Sequence, residues 1–261
     1  MSLRSKINDI GASRFPKLIR LYWPFRALVR TRNVTELRFL FSYFMNGWLR
    51  NQSQSQAMQD YFALWVRKKS STNASDAIFV EVGANDPKVG SNTYSLEVMG
   101  WNGLLIEPNP ILSTKLEKNR RAKVKQVACS QIEGTLSIYI PEGASGLAHV
   151  INDSEVEMLG QGETIVVRAV RLTDLLEQLG FPQTIDYLSI DVEGHEVDVL
   201  NGLDLSRFQF QAVTIEHNYN DEAIAYFDNF FGVFDYRRVF SRLSAFDAWY
   251  VHPSLLGQLP T

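Results

Sequence analysis

The amino-acid sequence predicts an α/β fold with a mostly parallel sheet whose two faces are covered by helices. Short apolar runs alternate with segments of helical periodicity from residue 77 to residue 252, and this alternation is typical of repeated βα units. The last two apolar runs are joined by the short connection SAF, so this final pair of strands is predicted to be antiparallel. A chain of 261 residues is long enough for one large domain with an appendage.

The predicted elements follow one another in a regular order. Segment 56–69 has the spacing of an amphipathic helix, with Met58, Phe62, Trp65 and Val66 on one side. Apolar runs of strand length predict strands at 77–83, 104–107, 124–130, 163–170, 185–192 and 212–217. Helical spacing predicts helices at 91–99, 112–119, 172–180, 196–202 and 221–231. The run 136–140 is predicted to pair antiparallel near 124–130, and 236–242 with 247–252 close the sheet.

Charge divides the chain at about residue 50. Residues 1–50 contain ten Lys and Arg against two Asp and Glu, a balance of +8, whereas residues 51–261 contain 16 against 27, a balance of −11. The polar stretch NQSQSQ follows the basic segment, so we predict a basic helical extension over 1–55 and a main domain over 56–261. An acidic main domain argues against nucleic acid as a partner, because nucleic-acid binders cluster Lys and Arg at the site.

The basic extension has two interpretations. Residues 15–50 predict two or three short helices with a break at Pro24, and they mix Leu, Trp and Phe with arginine. The favoured interpretation is a helical cap whose apolar face packs on the main domain, or on a second subunit of a homo-oligomer. The alternative is an arm over residues 1–50 that docks on a membrane surface or on a protein partner.

The cysteine content and the apolar runs indicate a location. A single cysteine, Cys129, excludes an intrachain disulfide, and a reducing, cytoplasmic setting is the simplest expectation. Residues 1–30 lack a continuous apolar signal-peptide core, and no stretch approaches the ~20 apolar residues of a spanning helix. The expected location is the cytoplasm, with peripheral attachment to the inner face of a membrane as the alternative.

The first predicted strand ends in a turn suited to a nucleotide. In IFVEVGANDPKVGSNTY the apolar strand runs into Gly83, which permits a sharp turn and the close approach of a ligand. The next strand ends at Glu107, 24 residues after Gly83. An acid at this place can accept hydrogen bonds from both ribose hydroxyls of a nucleoside. The turn and the acid together predict a cofactor that contains a nucleoside.

Two observations favour S-adenosylmethionine over NAD or ATP. The glycines that bind a pyrophosphate at a helix N-terminus are missing, because Gly83 is followed by ANDP. Glu81 lies inside the strand, two residues before the turn. A carboxylate there suits a cation, such as the positive amino group and sulfonium of a methionine moiety, better than it suits a phosphate.

These residues also resemble a known family. The segments EVGANDPKVGSNTYSLEVMGWNGLLIEPNP and IDYLSIDVEGHEVDVLNGLD resemble those of the FkbM-type methyltransferases, over roughly residues 55–252. The resemblance implies a class I (Rossmann-like) methyltransferase fold with a seven-stranded sheet and an antiparallel last strand. It also implies O-methylation of hydroxyls, commonly on sugars or on secondary-metabolite alcohols. The chain departs from the family at Pro87, where a glycine is usual, so the contacts of residues 87–90 are an open point.

The resemblance further implies which residues bind the cofactor. The ribose is expected at Glu107, with Pro108 and Asn109 beside it. Ala128 is expected to line the adenine, and Asp191 to lie between cofactor and substrate. The residues expected around the methionine part are Glu81, Gly83, Ala84, Asn85, Asp86, Ser91, Asn92 and Tyr94.

Catalytic residues are predicted at the ends of two later strands. IDVEGHEVDVL places Asp191 at a strand end, with Glu193 and His195 after it. IEHNY places Glu216 and His217 at the end of the next strand. Parallel neighbours end at one edge of a sheet, so these side chains are expected to converge on one cleft. His217 is the preferred base for the acceptor hydroxyl, since its pKa lies near working pH, and His195 is the second candidate.

Three further expectations concern this edge of the sheet. Asp191, Glu216 and His217 are candidate ligands for Mg²⁺ or another divalent metal, because carboxylates suit a hard cation. For Glu196 we favour a role as a cap in the first turn of the following helix. Segment 141–162 is the expected lid or acceptor-binding loop.

The sequence thus predicts a cytoplasmic O-methyltransferase that uses S-adenosylmethionine. Its expected acceptor is a hydroxyl of a sugar, a glycan or a glycosylated precursor, as in polysaccharide modification. Two alternatives stay open, an O-methyltransferase of a non-sugar natural product and a catalytically inert adaptor that is docked by its basic arm.

Overall fold

The computed structural model describes residues 24–47, 52–68, 76–143, 148–151 and 160–256. Its strands are β1 (Ile78–Val82), β2 (Asn102–Ile106), β3 (Lys123–Lys125), β4 (Ala128–Cys129), β5 (Gly134–Pro141), β6 (His149–Val150), β7 (Gly162–Val170), β8 (Thr184–Ile190), β9 (Gln209–Glu216), β10 (Arg237–Val239) and β11 (Asp247–Val251). Its helices are α1 (Val34–Met45), α2 (Gln59–Arg67), α3 (Tyr94–Val98), α4 (Pro110–Asn119), α5 (Leu172–Gln178), α6 (Glu196–Asn201), α7 (Asp221–Gly232) and α8 (Pro253–Leu256). Residues 24–30 are also helical.

Seven strands form the main sheet, in the order β10-β11-β9-β8-β1-β2-β3. Parallel pairing runs from β3 through β2, β1 and β8 to β9. β11 is antiparallel to both β9 and β10. The predicted seven-stranded sheet with an antiparallel last strand is therefore confirmed. The order of the strands reverses at β1 and β8, and ligands of open α/β sheets bind beyond the strand ends at such a point.

Separate apolar cores cover the two faces of this sheet. Phe79 of β1 packs on one face with residues of α1 and α2. Val80 and Val82 of the same strand pack on the other face with residues of α5, α6 and α7. Successive residues of a strand point to opposite faces, so a strand that is apolar on both faces is buried between two layers of helices.

The predicted strand 124–130 divides between two sheets. β3 joins the main sheet beside β2, whereas β4 pairs in parallel with β7 in a four-stranded sheet of order β4-β7-β5-β6. β5 is antiparallel to β7 along its whole length, and β7 lies between β5 and β4, so segment 136–140 is an antiparallel strand near 128–129 but does not pair with it directly. The segment VKQVACS has no break in its sequence pattern. The change of sheet is visible only from the strands that pair with it, β2 beside β3 and β7 beside β4.

Within the predicted lid, residues 141–162, β6 pairs with β5. Residues 144–147 and 152–159 of this segment lie outside the described part of the chain. The lid function stays a prediction.

One face of the basic extension packs on the main domain. Phe39, Leu40 and Tyr43 of α1 are buried in the core that contains α2 and β11. The ring of Phe39 lies 5.2 Å from that of Tyr61 and 6.0 Å from that of Trp249, as measured between ring centroids. The inner face of α1 therefore has the packing expected of a helical cap. The helices predicted within residues 15–23 lie outside the described residues.

The polar stretch at the predicted domain boundary is also packed. Ser53, Gln54 and Ser55 are buried, and Gly90 donates its backbone N–H to the carbonyl of Gln54 at 3.2 Å. Ser53 and Ser55 donate their hydroxyls to Asp60 of α2. The boundary predicted at residue 55 thus lies within a segment that packs on the loop after β1. Among the helices described, none has both the length and the apolar character needed to cross a bilayer.

Candidate functional site

The ends of β1, β2 and β8 are joined around Gly83. The N–H groups of Gly83 and Ala84 donate to the carbonyl of Ile106 at 2.9 and 3.1 Å, and the N–H of Asp191 donates to the carbonyl of Val82 at 3.0 Å. Gly83 has a φ of +83°, and a Cβ there would lie 1.8 Å from the carbonyl oxygen of Asp191. The turn requires glycine, since any other residue lacks both the conformation and the space.

Glu107, just after β2, is buried and supports the turn with both carboxylate oxygens. Its Oε2 accepts the N–H of Asn85 at 2.8 Å, and its Oε1 accepts the N–H of Asn109 at 2.9 Å. Asn85 has a φ of +51°, a left-handed conformation that asparagine tolerates. Burial raises the pKa of Glu107 to about 7, against the lowering effect of these two hydrogen bonds. Each oxygen keeps a lone pair that a ligand hydroxyl can use.

Glu81 of β1 is buried and is bound by the residues that lead into α3. Its Oε1 accepts the N–H of Asn92 at 2.8 Å, and its carboxylate also accepts from the hydroxyls of Ser91 and Thr93. Burial raises the pKa of Glu81, and the charge of Arg120 opposes this rise. Arg120 donates to the same two hydroxyls, at 3.2 and 2.9 Å. Glu81 therefore positions the loop that carries the predicted methionine-binding residues.

Two buried amide atoms beside these acids have no hydrogen-bond partner among the described residues, Oδ1 of Asn92 and Nδ2 of Asn109. The other amide atom of each is engaged, because Nδ2 of Asn92 donates to the Ser189 hydroxyl at 2.9 Å and Oδ1 of Asn109 accepts the N–H of Ile111 at 2.9 Å. Leaving a buried polar atom unpaired costs about 1–3 kcal/mol. A ligand with a donor at Asn92 and an acceptor at Asn109 would remove this cost.

The loop that contains Pro87 is well supported. Oδ1 of Asp86 accepts the N–H groups of Lys88 and Val89 at 2.9 and 2.8 Å. The carbonyl of Pro87 accepts from Arg120 at 3.1 Å. Proline needs no donor of its own in this arrangement, because the side chains of Asp86 and Arg120 hold the loop. This arrangement accounts for a proline where the family usually has glycine.

Three carboxylates meet at the ends of β8 and β9. Asp191, Glu193 and Glu216 each offer a carboxylate oxygen, and these oxygens lie within 4.8 Å of one another. We call these three residues the acid cluster. Glu216 is buried and its Oε2 accepts from the Asn218 amide at 2.7 Å. Among the residues that the structure describes, the set with oxygens close enough to hold a metal therefore contains Glu193 and not His217.

Glu196 holds the loop that carries the acid cluster. Glu193 has a left-handed φ of +54°, and Oε1 of Glu196 accepts the N–H groups of Val192 and Gly194 on either side of it, both at 3.1 Å. A non-glycine residue keeps such a conformation only where its surroundings impose it. Burial raises the pKa of Glu196. Glu196 lies in the first turn of α6, as expected, but no described side chain caps this helix with a hydrogen bond, and the bonds of Glu196 go to the loop before it.

The two candidate histidine bases have other hydrogen bonds. Nδ1 of His217 accepts the N–H of Tyr219 at 2.9 Å, so the neutral ring carries its proton on Nε2 and can only donate there. Burial lowers the pKa of His217, which favours this neutral form. Nε2 of His195 lies 3.1 Å from the Ser130 hydroxyl, and its Nδ1 lies 3.3 Å from the Asp198 carboxylate. The histidine base stays a prediction, and this geometry favours a carboxylate instead.

A family comparison identifies the chain. The sequence model of the Methyltransferase FkbM domain matches residues 81–246, which is more than half of the chain. The chain belongs to the FkbM methyltransferase family. The matched residues of this FkbM-family chain include the Gly83 turn, Glu107 and the whole acid cluster.

Three solved methyltransferase structures are similar to this FkbM-family chain. A methyltransferase FkbM from Methylobacillus flagellatus KT has a TM-score of 0.48 at 12% identity, covering 90% of this chain and 58% of that one. A precorrin-6y C5,15-methyltransferase from Geobacter metallireducens GS-15 scores 0.35 at 10% identity, covering 71% and 74%. An O-methyltransferase from Bacillus cereus, solved in complex with SAH, scores 0.39 at 10% identity, covering 95% and 96%.

This chain spans 58% of the length of the Methylobacillus flagellatus FkbM structure. No curated protein sequence matches it.

Hydrogen bonds and close contacts connect most of the predicted cofactor residues of this FkbM-family chain. They run from Glu81 through Asn92 to Ser189, from Asn85 through Glu107 to Asn109, and from Gly83 to Asp191. Tyr94 begins α3, with the guanidinium of Arg120 5.7 Å from its ring centroid. Pro108 is half-buried between Glu107 and Asn109. Ala128 lies in β4 of the second sheet, and its role beside the adenine stays a prediction.

Sequence reasoning missed the residues that support the site from outside the motifs. Arg120, at the end of α4, is buried, pairs with Glu97 at 3.2 Å and reaches both Pro87 and the hydroxyls beside Glu81. Gln59 of α2 donates to Asp247 at 2.8 Å, and Asp247 lies opposite Glu216 in the β11–β9 register. For Gln59 the sequence did hold a signal, because Gln59 and Asp60 begin a helix whose other residues are mostly apolar. Polar residues at such core positions need partners.

Proposed function

We propose that this chain is an S-adenosylmethionine-dependent O-methyltransferase that methylates a hydroxyl of a sugar or glycan. One observation carries the proposal, the buried Glu107 that supports the Gly83–Asn85 turn. This pair lies at the point where the strand order reverses, which is the general ligand position of open α/β sheets. Membership of the FkbM methyltransferase family supports methyl transfer as the reaction.

The residues present fit this cofactor. Glu107 would accept hydrogen bonds from the ribose hydroxyls with its remaining lone pairs. The unpartnered Oδ1 of Asn92, beside Glu81, would accept from the positively charged amino group. The unpartnered Nδ2 of Asn109 would donate to an acceptor atom of the nucleoside. When bound, the cofactor supplies a methyl group on a positively charged sulfur, which is already activated for transfer.

The acid cluster would bind and deprotonate the acceptor. Asp191 follows β8 directly, and its backbone is in contact with Gly83 of the cofactor turn, so its carboxylate is the best placed to take the proton of the acceptor hydroxyl. The acceptor oxygen would then form the new bond to the methyl carbon while the bond from that carbon to sulfur breaks. Positioned proton transfer contributes about 10²–10⁴-fold to such a rate, and alignment of the reacting atoms about 7–11 kcal/mol.

Three carboxylates close together suit a sugar better than an apolar acceptor. Their oxygens, within 4.8 Å of one another, can accept hydrogen bonds from neighbouring hydroxyls of one ring. They can also hold a hard divalent cation, and an acid cluster by itself does not distinguish these two uses. A divalent metal has no part in the proposed mechanism, and treatment with EDTA tests whether the enzyme needs one.

Isothermal titration calorimetry with S-adenosylmethionine is the direct test of the proposal. We expect one binding event per chain, competition by S-adenosylhomocysteine, and no binding of NAD, because the turn lacks the glycines of a pyrophosphate site. Turnover with a sugar acceptor is expected to survive EDTA, since the proton is taken by a carboxylate. Loss of turnover that Mg²⁺ restores would place a divalent ion at the acid cluster. Absence of cofactor binding would refute the proposal.

Glu107→Gln is expected to remove part of the pH dependence of stability. The pKa of Glu107 is raised from 4.5 to about 7 by burial, so between these values the folded chain keeps a proton that the unfolded chain has lost. Stability of the wild type therefore falls as pH rises through this window, by up to about 3 kcal/mol from this group. Glutamine does not titrate, and the variant should lose that share of the slope.

Urea denaturation of wild type and Glu107→Gln across this pH window measures the difference. The raised pKa values of Asp186 and Glu196 contribute to both proteins and cancel in the comparison. Equal slopes in the two proteins would mean that Glu107 titrates near its ordinary value.

A further inference from the structure

Helix α1 is apolar on two opposite faces. Phe39, Leu40 and Tyr43 lie on its inner face and are buried in the core. On its other side Val34, Leu37, Phe41 and Met45 are exposed by 59%, 50%, 68% and 69%. The spacing of these four residues places them along one stripe of an α-helix. We call them the outer stripe.

An apolar stripe of this kind is unusual on a free surface. Phe25 and Val29, in the helical residues 24–30 that precede α1, are also exposed, by 68% and 78%. Single exposed apolar residues are ordinary, whereas an array of large ones marks a surface that another body covers.

The charges around the outer stripe indicate what covers it. Residues 24–47 contain four arginines and a single acid, Glu36. Arg30, Arg32 and Arg38 are exposed, whereas Glu36 is buried and lies 3.5 Å from Arg242. The exposed charge of this segment is therefore positive throughout, and residues 51–261 have a balance of −11. Large apolar side chains between arginines are the composition of helices that lie in the interface of anionic membranes.

We propose that this surface docks on an anionic lipid bilayer, with the outer stripe in the interface and Arg30, Arg32 and Arg38 against the headgroups. The inner face of α1 stays in the core, so docking needs no unfolding of the cap. The acidic remainder of the chain would be repelled by the same surface, which orients the molecule with α1 toward the lipid. This inference does not depend on the proposed methyl transfer.

A second copy of the chain fits this surface less well. A two-fold symmetric dimer puts the same patch of both subunits face to face, so the arginines beside the outer stripe would meet one another. Like charges across an interface are costly unless an acid pairs with them. Within residues 24–47 the only acid, Glu36, faces the core.

Vesicle co-flotation of the full chain tests the proposal. We expect binding to vesicles of phosphatidylcholine with phosphatidylglycerol, much weaker binding to phosphatidylcholine alone, and loss of binding as salt is raised. Leu37→Asp with Phe41→Asp should abolish binding, because the outer stripe can no longer enter the interface. Arg30→Glu with Arg38→Glu should weaken binding by at least roughly 30-fold, because loss of each arginine alone costs about fivefold and each new glutamate adds repulsion.

Matched controls come from the second sheet. Val166 of β7 is 70% exposed and Arg168 on the same strand is exposed, so Val166→Asp and Arg168→Glu make the same chemical changes away from α1. Both should bind vesicles as the wild type does. Circular dichroism and thermal denaturation report whether each variant is folded.

Three results would overturn the proposal. The first is absence of binding to anionic vesicles by the folded wild type. The second is binding that neither double variant alters, which would place the lipid contact elsewhere. The third is a dimer in light scattering that Leu37→Asp with Phe41→Asp converts to a monomer, which would make a second copy the occupant. Failure of cofactor binding in the wild type would count against the proposed methyl transfer alone.

Discussion

Gly83→Ala is expected to abolish cofactor binding and to destabilise the protein by about 2–6 kcal/mol. A Cβ at this position would lie 1.8 Å from the carbonyl oxygen of Asp191, and the backbone has a φ of +83°. The left-handed conformation costs a non-glycine residue of order 1–3 kcal/mol, and crowding in a packed site adds a similar amount. Relief requires β1 and β8 to move apart, which would displace both Asn85 and Asp191 from the site.

Gly180→Ala is the matched control for this substitution. Gly180 has a φ of +68°, and nothing lies within 4 Å of the Cβ it would gain. It therefore carries the conformational cost without the clash. Urea denaturation and calorimetry with S-adenosylmethionine separate the two variants. If Gly83→Ala and Gly180→Ala lose the same stability and both bind cofactor, the close approach of β8 to the turn has no role in the site.

Asp191→Asn is expected to lower kcat by about 10²–10⁴-fold while cofactor affinity changes little. The amide keeps the size of the carboxylate and removes its ability to take the acceptor proton. Asp198→Asn is the matched control, because Asp198 is in the same segment but pairs with His195. Single-turnover kinetics with a sugar acceptor give the methyl-transfer rate directly, and calorimetry gives the cofactor affinity.

The same kinetic experiment decides whether a carboxylate or a histidine is the base that deprotonates the acceptor. His217→Gln should reduce kcat less than tenfold, since the Nδ1 of His217 already accepts the N–H of Tyr219. A loss of 10²-fold or more in His217→Gln, with Asp191→Asn near wild type, would restore His217 as the base. A large loss in Asp198→Asn would instead point to His195, whose Nδ1 lies 3.3 Å from that carboxylate.

The fold and the cofactor turn could be predicted from sequence because their signals are local. The alternation of apolar runs and helical spacing is a property of neighbouring residues, and it predicted the parallel sheet that β1, β2, β8 and β9 form. Gly83 and Glu107 stand at strand ends, and parallel strands bring their ends to one edge. Asp191 and Glu216 converge for the same reason.

The supporting contacts could not be predicted in this way. Arg120 reaches Pro87 from 33 positions away in the chain, and Gln59 reaches Asp247 from 188 positions away. The division of 124–130 between β3 and β4 likewise depends on which strands lie alongside. The hydrogen bond from Tyr219 to the His217 ring and the left-handed backbone of Glu193 also arise only in the folded chain, and no residue pattern encodes them.

The sequence by itself determined a mostly parallel sheet, a glycine turn after its first strand, an acid at the end of the second strand and acids at the ends of two later strands. The tertiary structure alone decided which acid joins the cluster, why Pro87 is tolerated, and that α1 has one apolar face in the core and another exposed. The physical reason is the distance along the chain over which each effect acts. Periodicity and turn conformation act over a few residues, whereas burial and hydrogen bonding between distant segments exist only after the chain has packed.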